Sequence, residues 1–297
     1  MPPRRAVPVR GVLLGLCAAL LGLCAASSPA PASATTVSDN WAGYVALPAS
    51  AGASSGFQSV SGSWTQPRVT CTRGHESFSA VWVGLGGFHE SSRALEQIGS
   101  EADCSRAGRA SYMTWSELIP AAPVILRMRT APGNAMTASV TVRGHHVTMR
   151  LRNLTTGARY SITRKISAVD TSSADWIVEA PSTCFTERNC SALALSDFGS
   201  VAFSSATARM GSHTDQVAGP GWSVVQLELR QGAGTNGPAS RRNARAQPGA
   251  AVVAATPSAL SGPLGSFSVL FSEQQPQSEE PPEERPLPRY YAALGRS

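Results

Sequence analysis

Beyond residue 34, apolar side chains recur at every second position in short runs. They nowhere sustain the three-to-four spacing of an amphipathic helix, so the pattern predicts strands. Trp41 to Leu47 is the first run. Phe78, Ala80 and Trp82 alternate with Ser79, Val81 and Val83 until Gly84 to Gly87 breaks the pattern. Met113, Trp115 and Glu117 share one face of the next strand, which Pro120 ends. Val140 and Val142, then Val147, Met149 and Leu151, flank Arg143-Gly144-His145-His146 and predict a hairpin. Tyr160, Ile162 and Ile166 form a further strand, followed by Trp176–Glu179, by Val201–Phe203, and by Val225, Leu227 and Leu229. Ala251–Thr256 and Ser266–Phe271 predict closing strands. Many short strands without helical crossovers imply an all-β antiparallel sandwich or barrel.

One run sets a carboxylate at the end of a compact stretch of large apolar residues. In Asp175-Trp176-Ile177-Val178-Glu179-Ala180-Pro181 the alternation puts Glu179 on a face with Ile177 and Asp175, and Trp176 with Val178 on the other. A carboxylate among large apolar neighbours is poorly solvated unless hydrogen bonds hold it. The plain alternative is a strand-end glutamate emerging into water.

The ends of the chain have a different composition. Arg4, Arg5 and Arg10 precede an apolar run from Gly11 to Ala26, and Ala32-Ser33-Ala34 is a small-x-small cleavage signal. Residues 1–34 therefore predict a secretory signal peptide. The run is shorter than the roughly 20 residues of a membrane span, so no membrane attachment is expected after cleavage. Residues 35–272 predict one domain, and Glu273–Ser297, rich in Pro and Glu, a disordered tail. Gln231–Gly249 predicts a long flexible loop. The formal charge of +6 becomes about +5 for the domain once the leader and the acidic tail are set aside. Its basic residues look scattered along the chain without interleaved aromatics, so nucleic acid is not an expected partner. The preference for arginine over lysine, with abundant Ala and Gly, marks a GC-rich coding sequence.

Cys71, Cys104, Cys184 and Cys190 remain after the leader, an even count that reads as disulfides in an exported chain. Three connectivities are open, and Cys71–Cys104 with Cys184–Cys190 closes each loop locally. A zinc site lacks both Cys-x-x-Cys spacing and matched histidines, so no metal is expected. Gly52-Ala53-Ser54-Ser55-Gly56 fits a serine-hydrolase pattern only in a low-complexity loop. Asp170-Thr171-Ser172 has no second copy to supply an aspartic pair, and the histidines have no metalloprotease spacing. What remains is carboxylate and amide chemistry, with Glu96, Gln97, Glu101, Glu117 and Glu179 as candidates.

Five short motifs give these candidates a context. Asn40-Trp41-Ala42-Gly43, Trp82-Val83-Gly84-Leu85, Leu95-Glu96-Gln97-Ile98-Gly99, Trp115-Ser116-Glu117 and Trp176-Ile177-Val178-Glu179 occur in the order and spacing of the glutamic peptidases, the eqolisins. The chain resembles a secreted bacterial member of that family from about Val37 to Ala208 and more loosely to Phe271. The resemblance implies a sandwich of two large antiparallel sheets of the concanavalin A type. It also implies a catalytic pair mapping onto Gln97 and Glu179, and a substrate cleft using Trp41, Trp82, Trp115 and Glu117. Polypeptide substrates, no cofactor and a monomer follow from it. One departure stands out. The family motif Trp-Val-Gly-Ile-Asp-Gly reads Trp82-Val83-Gly84-Leu85-Gly86-Gly87 here, so a carboxylate near the cleft is lost.

The chemistry suits these residue types independently. Peptide hydrolysis needs a base for water, a donor for the oxyanion and an acid for the leaving amine. An ionised Glu179 takes the water proton and returns it to the amine. Gln97 cannot ionise, but its NH₂ donates and its C=O orients water. A glycoside hydrolase using Glu117 and Glu179 is the competing expectation, and a non-catalytic carbohydrate-binding sandwich is a third.

Overall fold

A computed structural model of the chain describes residues 34–49, 56–186, 189–231, 252–261 and 265–272. The expected leader up to residue 33, most of the loop at Gln231–Gly249 and the expected tail lie outside the described residues. Ala34 does not; it opens the first strand.

Eighteen strands and no helix make up the described residues. In chain order they are β1 (Ala34–Ser38), β2 (Trp41–Pro48), β3 (Phe57–Thr65), β4 (Ser77–Gly86), β5 (Leu95–Cys104) and β6 (Ala110–Ile119). Then come β7 (Val124–Ile125), β8 (Ala135–Arg143), β9 (His146–Asn153), β10 (Arg159–Lys165), β11 (Ala174–Glu179) and β12 (Ser182–Thr186). The last are β13 (Asn189–Ala192), β14 (Ser200–Met210), β15 (His213–Gln216), β16 (Trp222–Gln231), β17 (Val252–Pro257) and β18 (Phe267–Phe271). The predicted hairpin is β8–β9, with Arg143 opposite His146 and Gly144 at φ 57°.

The hydrogen-bonded order is β10-β9-β8-β3-β14-β18-β17-β16-β2-β11-β4-β5-β6-β7. Neighbours run antiparallel; β1 adds a parallel pairing to β16. The sandwich thus differs in one respect from two separate sheets. β18 and β17 stitch the layer of β10 to β14 onto the layer of β16 to β7 along one edge, so the ladder is continuous.

Side chains of both layers meet in one large core containing Val60, Trp64, Val83, Ile98, Val140, Met149, Leu151, Trp176, Val178 and Phe203, all buried. Two indoles fix the layers against each other by hydrogen bonds across it. Trp176 Nε1 donates to the Ser61 carbonyl on β3 at 2.8 Å, and Trp64 Nε1 donates to Ser100 Oγ on β5 at 3.0 Å. Burying such polar tips is tolerable only because each finds a partner.

A second, smaller cluster lies on the opposite face of the β16–β2–β11–β4–β5–β6 layer. Trp41, Val45, Ala80, Trp82, Leu95, Trp115, Ile177 and Leu227 compose it. The alternation of β11 is the cause: Trp176 and Val178 enter the main core, while Ile177 and Glu179 face this second cluster. Cys71–Cys104 and Cys184–Cys190 are both joined. The first ties the segment before β4 to the end of β5, so the two strands that carry Trp82 and Gln97 are closed into one covalent loop.

Candidate active site

Four strands build the site, and their register sets its layout. Across β11, β4, β5 and β6, Asp175, Gly84, Gln97 and Glu117 form one cross-strand row on the face opposite the main core. The next row is Ile177, Trp82, Gly99 and Trp115, and the third is Glu179, Ala80, Glu101 and Met113. Gln97 and Glu179 therefore lie on rows separated by the tryptophan row, and no hydrogen bond joins them directly.

Trp82 spans that gap. Its Nε1 donates to Glu179 Oε2 at 2.7 Å, while the far edge of its ring lies over Gly84, beside the Gln97 Cβ. The ring has room only because Gly99 follows on β5. A Cβ added at Gly99 would come 2.2 Å from the Val81 carbonyl oxygen and 2.6 Å from the Trp82 Cβ. Gly99→Ala is accordingly expected to displace the indole, costing about 1–3 kcal/mol of stability. It should also lower the rate of the reaction proposed below, as measured by thermal melting and kcat/KM together.

Glu179 is half-buried and held by neutral donors. Asn40 Nδ2 donates to Oε1 at 3.0 Å, opposite the Trp82 bond to Oε2. Trp41, directly across from Glu179 on β2, packs edge-on against Trp82 with ring centroids 5.0 Å apart. Burial pushes Glu179 up to about 8, and the charges of Glu117 and Glu101 add to that; the Trp82 and Trp41 indoles oppose it. The Trp41 N–H favours the charged form from a distance, since it makes no hydrogen bond of its own.

Gln97 is buried, with its NH₂ donating to Glu117 Oε2 at 2.7 Å. Its carbonyl oxygen has no partner, and the indole N–H of Trp115 is likewise unpaired. Burial raises Glu117 to about 7, and the bond from Gln97 pulls the other way. Behind this pair, burial drives Glu101 well up, assisted by Asp103 and Glu117, and burial takes Asp103 to about 8. Close carboxyls in a poorly solvated space cannot all ionise, so the group shares protons up to near neutrality.

The predicted residues fall as follows. Gln97 and Glu117 are bonded to each other, Trp82 and Glu179 are bonded to each other, and Trp41 and Trp115 flank the two pairs. Trp82 is completely buried, so it touches Glu179 rather than lining an open cleft. Sequence reasoning passed over Asn40 as a partner of Glu179, although it stands beside Trp41 in the first motif. It also missed Asp170. Gly86, at φ 80°, leaves a space that Asp170 fills: a Cβ at Gly86 would lie 2.4 Å from the Asp170 Cβ. Asp170 accepts from the Gly87 N–H at 3.1 Å and from the Ser92 hydroxyl, and its own N–H donates to Glu96 Oε1 at 3.2 Å. Burial acts to raise Asp170, but hydrogen bonds from Ser172, Ser92 and Gly87 outweigh it and hold the group below the usual range. A carboxylate absent from the Gly86 position is thus present against it, brought by the β10–β11 connection. Among the described residues no cluster of side chains is suited to hold a metal ion.

Residues 39–243 match the Peptidase A4 family. Aspergillopepsin-2 of Aspergillus niger is 28% identical over 202 residues, covering 60% of this chain and 66% of that protein, just under two thirds of its length. The fold is similar to that of scytalido-glutamic peptidase solved with a transition state analog inhibitor. The TM-score is 0.59 at 18% identity, with 79% of this chain and 98% of that one covered. SCP-B, an eqolisin solved with the tripeptide Ala-Ile-His, gives a TM-score of 0.54 at 16% identity over the same shares. At such identities the structural likeness speaks to the sandwich, and the family match, which takes in well over half the sequence, speaks to descent. The chain belongs to the Peptidase A4 family.

Proposed function

We propose that the protein is a secreted endopeptidase of the glutamic type that hydrolyses polypeptides with Glu179 as general base and Gln97 as oxyanion donor. The observation that carries this reading is the division of labour around Trp82. One carboxylate is held by N–H donors alone, and across the indole lies an amide whose oxygen is left without a partner.

The steps follow from those groups. A water between the two pairs gives a proton to ionised Glu179 and attacks the substrate carbonyl carbon. Charge develops on the carbonyl oxygen, where the second amide hydrogen of Gln97 donates while the first stays on Glu117. Glu179 then passes the proton to the amine nitrogen, the C–N bond breaks, and the carboxylate is restored. The Asn40 and Trp82 bonds keep Glu179 oriented through both transfers. Trp41 and Trp115, which keep 8% and 6% of their surface exposed where Trp82 keeps none, form the substrate-binding wall. The sugar-cleaving alternative gives the Gln97–Glu117 bond no role.

A raised Glu179 sets the pH profile. In acid the base is protonated, so the rising limb of kcat/KM belongs above the ordinary glutamate value of 4.5 and extends toward neutral pH. The test is degradation of denatured protein by the purified chain between about pH 3 and 8. Serine-, cysteine-, metallo- and pepstatin-type inhibitors are all present. Hydrolysis should persist and rise from weak acid toward neutral pH as Glu179 ionises. Complete loss of hydrolysis in the presence of the mixture would overturn the assignment.

A further inference from the structure

Between Glu117 and Asp170 the chain has no acidic residue but seven arginines and one lysine. Folding gathers what looks scattered in sequence. β10, β9, β8, β3 and β14 are successive strands of one layer, and none of the five carries an Asp or Glu. Their apolar positions enter the core, so the alternate positions share the outer face. There Arg143, His146 and Lys165 stand in one cross-strand row, and Arg152 lies directly opposite Arg159, with Arg150 one step along β9. All six are exposed.

Like charges directly opposite one another on a sheet destabilise it. The ion pairs found among the described residues, His213–Asp215 and Arg230–Glu228, lie elsewhere, so no carboxylate of the described chain relieves these rows. A shallow depression of about 460 Å³ runs between the side chains, floored by Thr141, Thr148 and Thr163, with Thr148 and Thr163 hydroxyls 2.9 Å apart. Guanidinium forks flanking hydroxyl donors match tetrahedral oxyanions, which accept several hydrogen bonds at once.

We propose that this outer face is a binding surface for a flexible, phosphate-bearing polyanion, separate from the peptidase site. The other polyanionic partners fit less well. Tyr160, the aromatic residue of β10, alternates inward and packs on the core, so there is no platform for stacking exposed bases. No large apolar side chain projects from these rows to enter a bilayer. A flat multistranded face does not enter the groove of a duplex as a helix or two-stranded ribbon does. A linear phosphate chain needs none of these features, only closely spaced cations and donors.

The experiment uses the full secreted chain and long-chain polyphosphate, with affinity measured at several salt concentrations. Binding should weaken steeply and log-linearly with salt. The triple substitution Arg143→Ser, Arg150→Ser and Lys165→Ser should weaken it by about tenfold or more. Peptide hydrolysis should be unchanged, and the melting temperature unchanged or higher as repulsion is relieved. Absence of binding, or wild-type affinity in the triple variant, would overturn the proposal. So would tighter binding to duplex DNA or to anionic vesicles than to polyphosphate. Binding that emerges only when residues 273–297 are deleted would assign the face to the chain's own acidic segment instead, and equally overturn it.

Discussion

Glu179→Gln is expected to bring peptide hydrolysis to background, a loss of about 10²–10⁴-fold or more in kcat, with the fold and substrate affinity kept. The replacement has nearly the same shape, but its single oxygen can accept from only one of Asn40 and Trp82, and no group is left to take the water proton. Gln97→Ala should cost about 10²–10³-fold, the scale of losing one oxyanion donor. Gln97→Glu separates donor from shape. It puts a second carboxyl against Glu117, and two such neighbours resist both ionising, so one keeps a hydrogen to donate. A small residual activity confined to acid is expected. These rates are measured as kcat/KM on a peptide across about pH 2–8, with circular dichroism as the check on folding. Near-normal hydrolysis in Glu179→Gln or Gln97→Ala would remove the glutamic mechanism. Glycan hydrolysis lost in Glu117→Gln but kept in Gln97→Ala would put a glycosidase in its place.

Stability should fall steeply between about pH 4 and 8. Glu96, Asp103 and Glu179 are pushed up to about 8 and Glu117 to about 7, chiefly by burial; Glu101 and Asp175 are raised well above their usual values for the same reason. Over this window the folded chain keeps protons that the unfolded chain has released. The stabilisation is complete below the unfolded values near 4 and lost as pH rises through the folded ones. Asp170 has the opposite sign: its lowered value contributes stability that disappears in strong acid. The melting temperature should therefore peak near pH 4 and decline toward pH 8, with a total loss on the order of several kcal/mol. Asp175→Asn, with a neutral isostere at a fully buried position, should flatten the decline. A melting temperature constant from pH 4 to 8 would show that these carboxyls are solvated.

Much of this was legible in the chain itself. β11 alternates cleanly, so both of its faces and the place of Glu179 could be read from six residues. The β8–β9 hairpin was equally plain. β3 was not. Phe57-Gln58-Ser59-Val60 breaks the two-residue period where a bulge shifts the pairing with Arg209 and Met210, and its serines resemble a turn. The hydrogen bonds of Asn40 to Glu179 and of Asp170 to Gly87 join residues 139 and 83 positions apart. Nothing local announces such pairs. The merging of two sheets through β17 and β18 depends on strand order, which alternation does not encode. The basic face was invisible for a related reason: its cations are spread over three strands at outward-facing positions, and only pairing brings neighbouring strands into rows.

The placement of β11 has a consequence for how the site moves. It is paired along its whole length, to β2 on one side and β4 on the other, and its side chains are packed on both faces. Backbone amides in such a strand are released only in openings close to global unfolding. The proposed base therefore has no local mode of loosening. Its position is as durable as the domain, and a core substitution far from the cleft should leave turnover per folded molecule intact while reducing the number of folded molecules. Catalytic decay on heating would then track the loss of the fold rather than precede it.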